Sequence, residues 1–311
     1  MADPGSAAEL AAALAARCPA AGVHATRHPR LRLVRADAPT IPTPVVYDAC
    51  VCVVVQGAKE ARSNDAVYTY DASQYLVLSM ALPLSCRITE ASLDRPYLAL
   101  LLDLDAVILG DLLAAMAVCR EVAPGVATEE PPRAIRVSPT DPDLHDSLMR
   151  MLRVLGDPLD QKVLAEGVER EILYRLLRGP QAAHLRAAAY RDDRSWRIAK
   201  VVRFVHQELA ASIDVAALAE MASMSTSAFG RDFKAATGDP PLRYLKKVRL
   251  YQARALMQHE GIGAAEAAYR VGYASPSQFS REFRRQFGVS PSEDARQPDR
   301  AQGRDAVPPD P

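Results

Sequence analysis

Two stretches of this chain repeat one another fifty residues apart, and that repeat narrows the fold more than any other feature. In "SMSTSAFGRDFKAATGDPP" and "YASPSQFSREFRRQFGVSP", Phe229 pairs with Phe279, Arg231 with Arg281 and Phe233 with Phe283. Lys234 pairs with Arg284, Gly238 with Gly288 and Pro241 with Pro291. Upstream, Leu218 and Ala219 pair with Ala267 and Ala268 one residue out of step, so the second copy has an extra residue in its turn. Ser225 and Ser275 stand where N-caps belong, and Gly238 and Gly288 where left-handed C-caps belong. Each copy reads as a short helix, a tight turn and a second helix: a helix-turn-helix written twice.

Helical periodicity sorts each copy by face. Phe229 and Phe233 lie one turn apart, as do Phe279, Phe283 and Phe287, and these rings pack on the preceding helix. The cationic residues cannot share that stripe. In a helix-turn-helix the exposed N-terminal half of the second helix enters the major groove. That sets Ser227, Gly230 and Arg231 of the first copy, and Ser277, Gln278 and Arg281 of the second, against base edges. Arginine suits guanine and glutamine suits adenine. Lys234, Arg284 and Arg285 lie further along and suit phosphates. A mid-helix glycine costs roughly 1 kcal/mol relative to alanine. Gly230 either permits close approach to DNA or is a tolerated weakness, and both readings stay open.

Charge agrees with this division. The chain of 311 residues is formally neutral, yet residues 190–296 carry 17 Lys and Arg against 12 Asp and Glu. A basic C-terminal third beside an acidic remainder points to a polyanionic partner. The length suits two domains and a connector. No apolar run reaches the roughly 18 residues that a membrane span needs, and the Ala-rich start lacks a basic n-region, so neither a membrane partner nor a signal peptide is expected. Five cysteines without a CxxC pair fit reduced thiols in a cytoplasmic protein.

The N-terminal part has a different grain. Between 29 and 104, "RLRLVRAD", "ACVCVVVQ", "AVYTYD", "SQYLVLSM", "LSCRITEA" and "PYLALLLDLD" read as six short strands, separated by the breakers "TIPTP", "QGAKEARSND" and "ALPL". This spacing predicts a small sandwich or barrel. A helix follows from 106, then a Pro-rich connection at 123–132 and two amphipathic helices. The first carries the stripe Leu144, Leu148, Met151, Leu152 and Leu155, and the second Leu164, Val168, Ile172 and Leu176. From 190 onward the pattern is wholly helical. The fold class expected is therefore α+β, a β-barrel with helices followed by an all-α double helix-turn-helix. Residues 1–22 read as a flexible or helical segment and 297–311 as a disordered tail.

"AYRVGYASPSQFSREFRRQFGVSP" resembles the second helix-turn-helix signature of the AraC/XylS family of bacterial transcription regulators. "LAEMASMSTSAFGRDFKAATGDPPLRYLKKVRLYQARALM" resembles the first. The resemblance implies a DNA-binding domain over about 190–296 with seven helices, a linker helix near Pro241 to Met257, and two recognition helices in successive major-groove segments. Carried over by position, Ser227, Arg231, Ser277, Gln278 and Arg281 become groove residues. Asp294 stands where the family usually has Tyr, and Ala267 where it has Ile, which would soften packing of the second motif. "YDACVCVVVQGAKEA", "YTYDASQYLVLSMALPLSCRITEAS" and "EREILYRLLRGPQ" resemble the AraC-type N-terminal regulatory domain. That implies a cupin-like barrel over about 23–105 and helices over about 106–187 that mediate association.

Catalytic chemistry finds little support. None of His24, His28, His145, His184, His206 and His259 falls within the central strands, so a cupin metal set is missing and no metal or cofactor is expected. His24 and His28, four apart, read as surface or packing residues. Cys50 and Cys52 share a strand face and read as small buried hydrophobes or, less simply, as effector-sensing thiols. Trp196 is expected to anchor the core of the DNA-binding domain. The barrel interior is the default ligand site, with Tyr47, Tyr68, Tyr70, Tyr75 and Arg87 as polar or aromatic candidates. The expected function is a sequence-specific, non-enzymatic regulator, an activator by resemblance. Its partners are promoter DNA, a small-molecule effector, RNA polymerase and a second copy of the chain. The alternatives are a ligand-independent DNA binder whose barrel is a dimerisation scaffold, and a cysteine-based DNA alkylation-repair protein.

Overall fold

Strands buried on both faces lose polar alternation, and the apolar runs of the N-terminal part do so for that reason. In the computed structural model, residues 4–64, 66–118, 134–189 and 194–295 are described; Cys119, the connection at 123–132 and the tail at 297–311 lie outside the described residues. Six strands, β1 (Gly22–Ala25), β2 (Leu31–Ala36), β4 (Cys50–Gln56), β7 (Gln74–Leu78), β9 (Tyr97–Asp103) and β10 (Ile135–Pro139), form one sheet in the order β1-β2-β9-β4-β7-β10. Four more, β3 (Thr43–Tyr47), β5 (Ala58–Ser63), β6 (Ala66–Asp71) and β8 (Leu82–Glu90), form the second in the order β3-β8-β5-β6. All pairings between these strands are antiparallel. Cys50, Cys52 and Val54 of β4 face the space between the sheets, and Val51, Val53 and Val55 face the opposite way into a helical layer.

That layer is made of α1 (Pro4–Ala15), α2 (Ala106–Val118), α3 (Pro142–Val154), α4 (Pro158–Arg178) and α5 (Ala182–Ala189). Asp141 and Asp157 cap α3 and α4 by accepting from backbone N–H groups one turn on, each beside a Pro in the first turn. The α3 stripe is buried as expected, except that Leu155 is half-exposed. On α4 the buried face is Ala165, Val168, Glu169, Ile172, Leu173 and Leu176, so the expected stripe is corrected at Leu164, which points out with Leu159 and Val163. The inward Glu169 is fully buried. Arg30 grips it with Nε and Nη2 at 2.7 and 2.6 Å, and His28 Nε2 lies 3.1 Å away. This cluster fastens the β1–β2 turn to α4.

The strand reading missed four elements. β3 contains Pro44, β5 is the charged "AKEARS", β1 is four residues long, and β10 returns to the sheet after α2. Among the described residues the C-terminal part has seven helices, the number the resemblance implied: α6 (Arg194–Gln207), α7 (Val215–Met221), α8 (Thr226–Thr237), α9 (Pro241–His259), α10 (Ala264–Arg270), α11 (Pro276–Phe287) and α12 (Pro291–Ala295).

The two helix-turn-helix units are anchored differently. Phe229, Phe233, Tyr244 and Val248 of the first belong to one continuous apolar core with the inner faces of the sheets, whereas Phe279, Phe283 and Ala267 of the second form a separate small core. Tyr244 Oη donates to the Ala81 carbonyl at 2.8 Å across that junction. A phenol has one proton, so at the other contact of this oxygen, 2.8 Å from His206 Nε2, the imidazole is the donor. Lys247 Nζ donates to Asn64 Oδ1, at the β5–β6 turn, at 3.0 Å.

Candidate nucleic-acid interface

Each recognition helix is started and stopped by the residues the repeat singled out. Ser225 Oγ accepts from Ala228 N and Ser275 Oγ from Gln278 N, both at 3.4 Å. Gly238 and Gly288 adopt φ of 83° and 78°, and each donates its N–H four residues back. The turns correspond as well: Met224 N donates to Ala219 O, and Tyr273 N to Ala268 O, both at 2.9 Å. Both turns pass through the left-handed region, at Ser223 (φ 54°) and Gly272 (φ 86°). The extra residue of the second copy is therefore Ala274, between this turn and the Ser275 cap. A side chain at Gly272 would collide with Leu209 O and Ala210 Cα at under 3.0 Å, so glycine lets the second turn rest on the loop after α6.

Aromatic contacts hold the inner faces. Phe229 and Phe233 are 5.3 Å apart, Phe233 meets Tyr244 edge-on at 5.3 Å, and Phe283 meets Phe287 at 4.5 Å. With those rings inward, helical geometry turns the remaining residues out. Ser227, Arg231 and Lys234 on α8, and Ser277, Gln278, Arg281, Arg284 and Arg285 on α11, are exposed, and Gly230 is half-buried. A Cβ at Gly230 would meet nothing within 4 Å, so packing within the protein does not require glycine there.

The two reading ends differ in their acids. Arg231 Nε donates to Asp232 Oδ1 at 3.0 Å. At the matching place in the second copy, Glu282 faces away from Arg281 and accepts from Lys246 Nζ at 2.9 Å, Tyr273 Oη at 2.9 Å and Gln278 Nε2 at 3.2 Å. Burial disfavours its charged form, but these three donors outweigh that and hold its carboxyl below the usual range. Burial and the same carboxylate raise the Tyr273 phenol.

Asp294, where the family's Tyr is replaced, is fully engaged by α9. It is buried, and Arg254 Nε and Nη2 grip it at 2.8 and 2.7 Å while Gln258 Nε2 donates at 3.2 Å. Arg254 in turn stacks 4.9 Å from the Phe287 ring centre. Ala267 is fully buried. Where the family usually has Tyr, this chain has an ion-paired latch from α12 to α9.

The N-terminal candidates scatter. Tyr47 and Tyr70 line a space of about 10 Å3 between the sheets, with Cys50, Cys52, Cys86 and Lys59. Tyr75 packs into the helical layer and Arg87 pairs outward with Glu60 at 2.8 Å. Lys59, inside a segment read as a breaker, is buried and donates to Tyr47 Oη at 2.8 Å. Burial pushes the Cys50 thiol well up and that of Cys86 up to about 11, so both are protonated and poorly nucleophilic near neutrality. Among the described residues no three His, Cys, Asp or Glu are grouped to hold a metal. No helix among them is long and apolar enough to cross a membrane. Trp196 is half-buried and, rather than anchoring a core, lines a cleft of about 730 Å3 between α6 and the strand ends near Asp48, Met80 and Asp103.

Comparison with known proteins matches both parts. Residues 27–184 fit the family described as AraC-type transcriptional regulator N-terminus, and residues 218–297 fit a helix-turn-helix domain. The HTH-type transcriptional activator RhaS of Salmonella arizonae is 33% identical over 162 residues, 52% of this chain and 54% of that protein. RhaS of Salmonella schwarzengrund is 33% identical over 161 residues, 51% and 54% of the two chains. The chain therefore spans about half the length of the curated relatives it matches. Among solved structures, ToxT from Vibrio cholerae superposes with a TM-score of 0.56 at 13% identity, over 86% of this chain and 98% of that one. Wild-type ToxT with bound unsaturated fatty acid does so with a TM-score of 0.54 at 13% identity, over 86% and 93%. At such identities the likeness is one of fold, a cupin-like pair of sheets with helices joined to an all-helical DNA-binding part. With one family domain across residues 27–184, half of its length, and a paired helix-turn-helix behind it, the chain belongs to the AraC family of DNA-binding transcriptional regulators.

Proposed function

We propose that the chain reads promoter DNA with both recognition helices, placing Ser227, Gly230 and Arg231 of α8 and Ser277, Gln278 and Arg281 of α11 at base edges. Lys234, Arg284 and Arg285 then grip phosphates. The observation that carries this reading is the matched division of faces, with phenylalanines inward and these side chains outward at the capped ends of both helices. The chain acts in the cytoplasm as an activator that engages RNA polymerase, in keeping with the printed role of the RhaS relatives. Two copies associate through the outer side of α4, where Leu159, Val163 and Leu164 are exposed. Genome-wide mapping of sites bound by the full chain tests the reading: enrichment at promoters supports it, and uniform coverage overturns it.

Single substitutions separate the roles. Lys234→Ala is expected to weaken binding to all duplexes alike and to reduce the slope of log K against log salt by about 1. A change confined to one sequence would move Lys234 to the base-reading group. Gly230→Ala has room for its methyl group and is expected to raise thermal stability by about 0.5–1 kcal/mol. The same methyl group should weaken specific binding at fixed salt if DNA approaches the helix there; unchanged affinity would make Gly230 a tolerated weakness.

Control by a small-molecule effector is part of this proposal. Lys59 supports it, being a buried ammonium whose one hydrogen-bond partner among the described residues is a neutral phenol, a placement that favours an anionic ligand group. The unsaturated fatty acid bound to ToxT carries such a group. The cleft of about 730 Å3 offers a path to the strand ends. A second reading, ligand-independent binding with the barrel as scaffold, is favoured by the interior space of only about 10 Å3. Thermal shift against a panel of metabolites and fatty acids separates them: a hit abolished by Lys59→Met supports effector control, and a flat panel supports the scaffold.

A further inference from the structure

Glutamine can read adenine through a pair of hydrogen bonds, its oxygen accepting from N6 and its nitrogen donating to N7. A free amide can turn over and present oxygen and nitrogen in either order. Gln278 is not free in this sense. Its Nε2 lies 3.2 Å from Glu282 Oε1, one helical turn toward the C-terminus. A carboxylate accepts only, so the amide nitrogen must face it and the oxygen must face away. One N–H is spent on Glu282; the other N–H and the oxygen remain for DNA.

We propose that Glu282 is a specificity-determining positioning residue of the second recognition helix, fixing the order in which Gln278 presents its acceptor and donor to the groove. This rests on Gln278 being a base-reading residue. Glu282 is itself rigidly placed, since Lys246 of α9 and Tyr273 of the turn bind the same carboxylate. Its side chain is only 12% exposed and three of its roughly four acceptor positions are taken by Lys246, Tyr273 and Gln278, so it is poorly placed to read bases itself. The first copy supplies an independent parallel: Asp232, at the corresponding position, holds the reading residue Arg231 by Nε. In both helices the acid that follows the arginine pairs with the polar head of a neighbouring side chain. With the amide order fixed, Gln278 accepts adenine on one strand only and distinguishes A·T from T·A; with the order free it accepts either.

The test uses the full chain and a randomised duplex library, from which a preferred site is selected with the wild type. Affinities at fixed salt are then measured for every single-base variant with wild type, Gln278→Ala, Glu282→Gln, Glu282→Ala and the double Gln278→Ala/Glu282→Ala. The position that loses its preference in Gln278→Ala is the one Gln278 reads. At that position Glu282→Ala is expected to reduce the A·T over T·A preference by about 5-fold or more, towards parity, while discrimination against G·C persists. Glu282→Gln, which keeps an acceptor oxygen and the shape, should retain an intermediate preference. The double variant should match Gln278→Ala alone in its profile, because the carboxylate acts through the amide. A uniform loss across all duplexes with an unchanged profile in both Glu282 variants would reduce Glu282 to a structural brace and overturn the proposal. If Gln278→Ala itself leaves every preference intact, the underlying assignment of Gln278 fails, and the proposal falls with it.

Discussion

Replacing Asp294 by alanine is expected to destabilise the second helix-turn-helix by about 3–5 kcal/mol, the cost of breaking a buried ion pair from one side. The carboxylate accepts two charge-assisted bonds from Arg254 at 2.7 and 2.8 Å and a third from Gln258. Its removal strands a guanidinium whose side chain is 14% exposed. It also frees Arg254 from the geometry that stacks it on Phe287, and Phe287 closes the aromatic row behind α11. Urea unfolding followed by circular dichroism, with hydrogen exchange over 276–295, reads the effect. Asp294→Asn keeps one acceptor oxygen and should lose less. Joint replacement of Asp294 and Arg254 by leucine should come close to neutral, since it leaves no orphan charge. A loss under about 1 kcal/mol for Asp294→Ala would show that the latch contributes no more than a surface pair.

That Asp294 is buried and ion-paired is not visible in its sequence neighbourhood, and the reason generalises. Local signals name residues whose role is set within a turn or two. Ser225, Ser275, Gly238 and Gly288 cap helices through bonds to residues three or four away, and the repeat displayed them twice. The phenylalanine spacing is equally local. Asp294, Glu169 and Lys59 are different: each is a charge buried by partners 40, 139 and 12 residues away. A lone charge reads as surface until its partner is placed. The same holds for β5, whose charged segment enters a sheet because β6 and β8 flank it. Leu164 failed for a finer reason. A stripe shifted by one residue is nearly as periodic, and only packing against β-sheet and α3 chose Ala165 and Glu169 for the inside. The reading ends were nameable because exposure follows from the buried phenylalanine face, whereas the engagement of Glu282 becomes evident only when Lys246 of α9 and Tyr273 of the turn are packed alongside.

Arg231→Ala and Arg281→Ala are each expected to weaken specific promoter binding by about 1–3 kcal/mol at fixed salt, roughly 5- to 150-fold, with a smaller loss on unrelated duplexes. The two need not be equal. Arg281 is exposed and has no hydrogen-bond or ion-pair partner among the described residues, so a base contact is gained outright. Arg231 already donates to Asp232 at 3.0 Å while 69% exposed, and turning to a base exchanges that pair for a new one. Exposed pairs are worth about 0–1 kcal/mol, so Arg231→Ala should cost up to that much less than Arg281→Ala. Asp232→Ala should narrow the gap if the pair competes with the base, and widen it if the carboxylate aims the guanidinium as Glu282 aims Gln278. The helices carry separate recognition ends, so the double variant should lose close to the sum of the single losses. Binding that is unchanged in both single variants, with the fold intact by circular dichroism, would remove the arginines from the reading surface and leave Ser227, Gly230, Ser277 and Gln278 to carry base contact.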